Sequence, residues 1–436
     1  MAFPMRKVAT AATVGTLIEW YDFFVYLPAA ALVFNKLFFP QAEPLTGTLL
    51  AFGTYATGFL ARPLGAIVAG HYGDRIGRKT LLIATLLLMG IATFLIGLLP
   101  TYATVGVAAP IMLLVLRLLQ GFATGGEWGG AALMIVESAP ANRRNTWASL
   151  ITVGILLGLV LASVAFTVVN SSVAEAAFMS WGWRVPFLLS AILVAVGLYI
   201  RLNVGESREF ETVKQRGDTK KVPLLEALKH PKNILIIFFI RIAENFSFYT
   251  FAAFSLSYVS TVLGLPRSLA LNAVILAALV ECVTAVLFGR LADRIGSRKV
   301  MLFGLAFQIV FAFPFFWLLE TKAPGLVVLG VVLGFALANG AISSVQPDYF
   351  ARFFGANIRY SGISIGREGA TIIGGGLAPV IATALVASTN ASWPVALCMA
   401  GTSVVGFAVV LFARKAEQTA ALPDAHAGGV AAAAKI

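Results

Sequence analysis

Residues Gly70–Lys79 read Gly-His-Tyr-Gly-Asp-Arg-Ile-Gly-Arg-Lys, and Gly289–Lys299 read Gly-Arg-Leu-Ala-Asp-Arg-Ile-Gly-Ser-Arg-Lys. Each stretch lies between two long apolar runs. A glycine, then Asp-Arg-x-Gly, then a basic cluster, therefore occurs twice in one polypeptide. An internal repeat of this kind points to duplication, with each half built the same way. The two copies are in parallel register, because each follows the second apolar run of its half. Parallel repeats related by an axis along the membrane normal are one way in which secondary transporters are constructed.

The apolar flanks say membrane. Of 436 residues, 59% are hydrophobic and 12% charged, with a mean hydropathy of +0.88. A soluble domain carries roughly 25% charged residues. The apolar residues come in runs of about 20, the length that a helix needs to cross a bilayer. A transmembrane β-barrel would show short alternating segments instead. The fold class read from this is an all-α polytopic membrane protein.

A net charge of +12 raises the question of nucleic acid as a partner. The placement of the 32 Lys and Arg answers it in the negative. With the N-terminus in the cytoplasm, Lys36, Arg184, Arg267 and Lys322 fall outside and Arg62, Arg117, Arg241 and Arg367 inside spans. All the others are cytoplasmic. The positive-inside rule thus predicts both termini in the cytoplasm of a cell whose plasma or inner membrane holds the chain. Cys282 and Cys398 lie in apolar runs and form no disulfide framework. The first apolar run is long and contains acids, so it reads as a retained helix and not as a cleaved signal.

Twelve helices are predicted, six in each half: about 8–34, 45–69, 80–99, 107–136, 146–169 and 184–202, then 233–262, 269–288, 300–319, 325–345, 361–386 and 393–412. Residues 1–202 form the first bundle, 203–232 a charged cytoplasmic linker, 233–413 the second bundle and 414–436 a disordered cytoplasmic tail. The repeated stretches read as loops. Gly121, Gly125 and Gly129 on helix 4, and Gly154 and Gly158 on helix 5, form small-residue stripes that let helices approach closely. Pro28, Pro63, Pro314 and Pro379 are candidate kinks.

A charge at the bilayer centre costs about 2.5–3.5 kcal/mol on insertion scales, so the residues that carry one are functional candidates. Glu19, Asp22 and Tyr26 share a face of helix 1, and Arg117, Gln120, Thr124 and Glu127 share a face of helix 4. Asp22 and Arg117 each lie about 10–12 residues from the outer ends of their helices, a depth of roughly 15–18 Å, near the midplane. A carboxylate that alternately meets and leaves an arginine is a proton-binding switch. Asp22 is the first candidate for proton coupling and Glu19 the second, with Arg117 as partner. A fixed ion pair that only holds helices together is the structural alternative.

Arg62 and Tyr55 share a face of helix 2. Helix 7 carries Arg241, Glu244, Asn245 and Tyr249, and Arg241 is placed to pair with Glu281 of helix 8. Arginine binds a carboxylate in bidentate fashion, so Arg62, Arg117 and Arg241 are candidate anchors for an anionic substrate, or else they pair within the protein. Aromatics beside acids would equally suit a quaternary ammonium. At the cytoplasmic side, Gly70, Asp74, Arg75, Gly77, Arg78, Glu137 and Arg144, with Asp293, Arg294 and Gly296, form a candidate gate. Asp348, Arg352 and Arg359 extend that set. No cofactor and no metal are expected, with the proton as coupling ion, and one copy of the chain is expected to suffice. A membrane-embedded enzyme would need a nucleophile–base or metal constellation, yet His71, His230 and His426 all fall in predicted loops or the tail. A non-transporting sensor would carry an appended soluble domain, and no such segment is read here.

The repeated stretch resembles the signature loop of the major facilitator superfamily. Glu19-Trp-Tyr-Asp-Phe-Phe24, Arg117–Gly130, Trp183-Arg-Val-Pro-Phe187 and Arg241 with Glu244-Asn245 are similar to the metabolite:proton symporter family. The resemblance covers essentially the whole chain. It implies alternating access, with substrate and proton entering together. Members carry shikimate, 2-oxoglutarate, citrate and other organic acids, or proline and betaine. Ala29–Pro40 resembles the shikimate-type branch. Two departures stand out: Ser297 replaces the first basic residue of the second loop, and Leu27-Pro28 replaces a glycine expected after Tyr26. The expected activity is import of a small organic acid such as shikimate or 2-oxoglutarate, with osmolyte import as the alternative.

Overall fold

The computed structural model describes residues 5–76, 78–125, 132, 135–136, 139–203, 223–355 and 358–413. Those residues form no strand; nine of their helices are long and apolar enough to cross a membrane, and Ile83–Leu98 and Ala108–Thr124 are shorter apolar helices. The first half contains α1 (5–37), α2 (Pro44–Ile76), α3 (Arg78–Leu98), α4 (Ala108–Thr124), α5 (Arg144–Ser172) and α6 (182–203). The second contains α7 (Pro231–Val262), α8 (Arg267–Ile295), α9 (Ser297–Glu320), α10 (Pro324–Ala351), α11 (359–389) and α12 (Trp393–Phe412). Helices answer the absence of water in the bilayer, because they satisfy every backbone amide internally. Leu60, Leu64, Ile91, Ile111, Val310 and Phe412 point outward, as a lipid-facing surface requires.

Packing obeys a two-fold relation between the halves. α2 packs on α4 as α8 packs on α10, α1 on α5 as α7 on α11, and α3 on α6 as α9 on α12. Across the halves, α5 packs on α8 and α2 on α11, which are the same contact under that exchange. The α2–α4 seam depends on glycine. A methyl group on Gly121 would lie 1.8 Å from the Gly58 carbonyl oxygen, and one on Gly125 2.1 Å from that of Arg62. The backbones touch, as the small-residue stripe anticipates.

The repeated stretches are not loops. α2 stays helical through Ile76 and α8 through Ile295. In the second copy the break is one residue wide: Gly296 has φ 93° and ψ 140°, a conformation that glycine adopts without strain, and α9 starts at Ser297. The Asp-Arg-Ile segment is thus the last turn of a helix, and in the second copy Gly296 is its terminator. α1, α7, α10 and α11 each carry at least one π-helical turn, at Ala30–Phe34, Thr250–Phe254, Tyr258–Val262, Gly334–Asn339 and Ile372–Gly376. Pro28 and Pro379 flank two of these turns, where wider winding absorbs the missing amide. In the stretch between the halves, Pro223–Leu228 forms a short helix and α7 starts at Pro231.

Candidate functional site: buried charges between the halves

Arg117 lies on α4 opposite Gly58, where a methyl group would come 2.7 Å from the guanidinium Nε. The missing side chain of Gly58 makes the space that Arg117 fills. Its Nε donates to the Tyr55 carbonyl (3.3 Å) and its Nη1 to Gln120 Oε1 (3.0 Å). Its Cζ lies 4.3 Å from the ring centres of Phe23 and Tyr55 and 4.7 Å from that of Tyr26, so three π faces surround the cation. Nη2 has no hydrogen-bond partner among the described residues.

Asp22 is fully buried on α1, and neither carboxylate oxygen has a hydrogen-bond partner among the described residues. Glu19 stands one turn earlier on the same face and is 7% exposed. Asp22 and Arg117 do not form an ion pair. Gln120 stands between them, accepting from Arg117 while its Nε2 donates to the Asp22 backbone carbonyl (3.4 Å) and to Thr93 Oγ1 on α3 (2.7 Å). Both side chains are buried, and Gln120 ties Arg117 to the backbone of Asp22, not to its carboxylate. Tyr26 shares a hydrogen bond with Thr54 of α2 (2.5 Å).

In the second half, Arg241 does not reach Glu281. Its Nη1 donates to Glu244 Oε2 (2.5 Å) and to Gln346 Oε1 on α10 (3.1 Å). A partner one turn away on the same helix needs no reach across the bundle, which explains the difference. Glu281 instead accepts from Asn339 and Ser343 of α10. Asn245 donates to Thr371 (3.1 Å), and the Tyr249 ring meets Tyr55 and Phe59 of the first half at 6.0 and 5.7 Å. Arg62 pairs across the halves with Glu368 (Nε to Oε2, 2.8 Å), and Arg367 also donates to that carboxylate.

At the end that bears the repeated motif, Asp293 caps α5 of the other half. Oδ1 accepts from the Asn145 amide (2.8 Å) and Nδ2 (3.2 Å), and Oδ2 from the Thr146 amide (3.0 Å) and hydroxyl (2.5 Å). An anion there satisfies orphan amides and meets the positive end of the helix dipole. Arg144 opens α5 half-buried, and Arg294 is exposed in the last turn of α8. Ser297, standing where a base was expected, donates to Asp348 (2.9 Å), which Arg352 also engages. Gly70, Asp74, Arg75 and Arg78 are helical, but their side chains lie outside the described residues, as do Gly77, Glu127 and Glu137 altogether. At the opposite end a cavity of about 520 Å³ lies between the halves, lined in part by Asn35, Lys36, Asn170, Glu175 and Arg267. Arg267 bridges there to Glu175 (3.0 Å).

Sequence reasoning did not single out Phe23, Phe59, Gln346 or Thr93 for the site. Phe23 shares a face with Glu19, and that spacing is a usable signal. Gln346 falls just past the predicted span 325–345, and nothing local marks it. Among the described residues no group of three or more His, Cys, Asp or Glu can hold a metal ion.

A family model described as Major Facilitator Superfamily matches residues 12–367. The chain is 44% identical over 391 residues to the shikimate transporter of Escherichia coli (strain K12), covering 89% of each chain. It is 40% identical over 386 residues to the inner membrane metabolite transport protein YhjE of the same organism, covering 86% of this chain and 87% of that one. It is 35% identical over 416 residues to a putative proline/betaine transporter of Staphylococcus aureus (strain COL), covering 93% and 88%. Among solved structures, the D-xylose-proton symporter matches with a TM-score of 0.72 at 19% identity, covering 93% of this chain and 96% of that one. This last likeness concerns the fold.

Proposed function

Since the chain belongs to the Major Facilitator Superfamily and is a multi-pass secondary transporter of metabolites, not an enzyme, we propose that it is a proton-coupled symporter importing a small organic acid of the shikimate kind. The observation that carries this reading is the pair of uncompensated charges at the centre of the first half. Among the described residues, Arg117 Nη2 and both Asp22 carboxylate oxygens have no hydrogen-bond partner. A buried guanidinium without a carboxylate partner is a site for an anion from outside the protein. A buried carboxylate without a cation is a site for a proton. Substrate anion and proton then enter as a near-neutral pair, and that neutrality lowers the cost of carrying both through a low-dielectric interior.

The placement of the interhalf contacts supports alternating access. Asp293 on α5 and Arg62 with Glu368 are such contacts, and the distribution of basic residues supports a cytoplasmic placement of the motif end and of both termini. The cavity at Lys36 and Arg267 supports entry from the opposite side. The residues named here all come from one copy of the chain, which supports a monomer as the working unit. An osmolyte cation fits this centre less well, because Arg117 already occupies the aromatic faces that would hold a quaternary ammonium. The test is uptake into proteoliposomes of labelled shikimate, 2-oxoglutarate, proline and glycine betaine, with and without an inward proton gradient. Gradient-driven accumulation of an organic acid is expected. Accumulation of betaine alone, or uptake indifferent to the gradient, would overturn the reading.

A further inference from the structure

Glu281 is a second buried acid, to which the mechanism above gives no part. It lies fully buried on α8. It occupies the position of Arg62 in the repeat: Arg62 precedes Asp74 by the same number of residues as Glu281 precedes Asp293. The charge is therefore inverted between the two halves at one structural position. Asn339 Nδ2 (2.7 Å) and Ser343 Oγ (3.2 Å) both donate to Oε1, and Oε2 has no partner among the described residues. An ionised carboxylate shares its charge over two oxygens and attracts donors to both. A carboxyl whose donors all converge on one oxygen has the pattern of a neutral acid, with Oε1 as its carbonyl and Oε2 as its hydroxyl.

The surroundings agree. No ion pair to Glu281 occurs among the described residues. α5 (Arg144–Ser172) has no titratable side chain beyond Arg144 at its start, and α10 has none before Tyr349 and Asp348 at its far end. α9 places Arg298, Lys299 and Glu320 at its two ends. On α8 itself the neighbour is Cys282. α7 carries Lys232 at its start, and Glu244 and Arg241, which are engaged with each other. Bare ionisation here would leave an uncompensated charge in the interior.

We propose that Glu281 is a second proton-carrying site, held as a neutral carboxylic acid by α10 in this conformation and discharged when α8 and α10 separate. On discharge the Oε2–H bond breaks, the proton passes to water entering the opened seam, and the carboxylate remains. Reloading from water on the other face reverses the step. That part of the idea rests on the symport reading, whereas the protonation state does not.

Infrared difference spectra of the reconstituted protein on pH titration test the state. The wild type is expected to show a carbonyl stretch of a neutral carboxylic acid that shifts on labelling with ¹³C-glutamate and not with ¹³C-aspartate. Glu281→Gln should abolish this band, whereas Asp22→Asn should keep it. Gln preserves the acceptor for Asn339 and Ser343, so the variant is expected to stay folded, and the labelling arm stands even if it does not. No glutamate-dependent band, or a band that survives Glu281→Gln, overturns the assignment. Measured proton-to-substrate ratios test the role: Glu281→Gln should lower the ratio by one proton. An unchanged ratio with a lost band overturns the carrier role and leaves a structural acid. A wild type with no proton drive at all defeats symport, and the infrared result then stands by itself.

Discussion

Arg62 and Glu368 join the two halves of the molecule, Nε to Oε2 at 2.8 Å, with both side chains almost fully buried. Removing one member of a buried pair leaves a bare charge and costs about 3–5 kcal/mol. Glu368→Gln and Arg62→Gln are therefore each expected to weaken thermal stability and transport, and the exchange Arg62→Glu with Glu368→Arg to recover part of both. Melting temperatures in detergent and uptake rates for the three variants give the answer. Additive losses in the exchange variant would mean that the pair is not a unit.

Asp22→Asn is expected to abolish accumulation against a gradient while leaving substrate exchange across the membrane in place. Asn keeps the shape and cannot release a proton. Counterflow in proteoliposomes distinguishes the two, and gradient-driven accumulation by the variant would remove Asp22 from the coupling step. In the wild type, uptake should rise as the outside is made more acidic, because loading consumes a proton there.

Arg117→Lys keeps the charge and loses the planar fork. Loss of a hydrogen bond to a charged group costs about 1.5–3 kcal/mol, which corresponds to a roughly 10- to 100-fold weaker apparent affinity. Substrate titration of initial uptake measures it. Unchanged affinity would take the guanidinium out of substrate binding.

Asp293→Ala removes the cap that one half supplies to α5 of the other. Loss of a helix cap costs about 1 kcal/mol, several-fold in a two-state equilibrium. Spin labels at Arg143 and Arg290, both exposed and flanking this contact, should report a larger population of long distances. An identical distance distribution would mean that the cap does not bias closure.

The repeat made the twelve-helix plan legible before any coordinates, because Asp-Arg-x-Gly marks the same helix end twice and apolar length marks the spans. Trp393–Phe412 is read with the same bounds from sequence and from structure. The similar depth of Asp22 and Arg117 was also legible, since helical rise converts residue number into height. What remained hidden was rotation about each helix axis. Arg241 was matched to Glu281 by depth, and depth cannot say that Glu244 and Gln346 stand on the nearer side. The repeated motif was misread as loop because its charges suggest solvent, whereas a polar last turn of a helix has the same composition.

The glycine seam between α2 and α4 has a mechanical corollary. With Gly121 against the carbonyl of Gly58 and Gly125 against that of Arg62, no side chain cushions the two rods, and they can only travel as one plank. Arg62 and the Tyr55 carbonyl that steadies Arg117 both ride on it. Breaking the link to Glu368 thus tugs directly on the guanidinium at the centre, with no slack in the train.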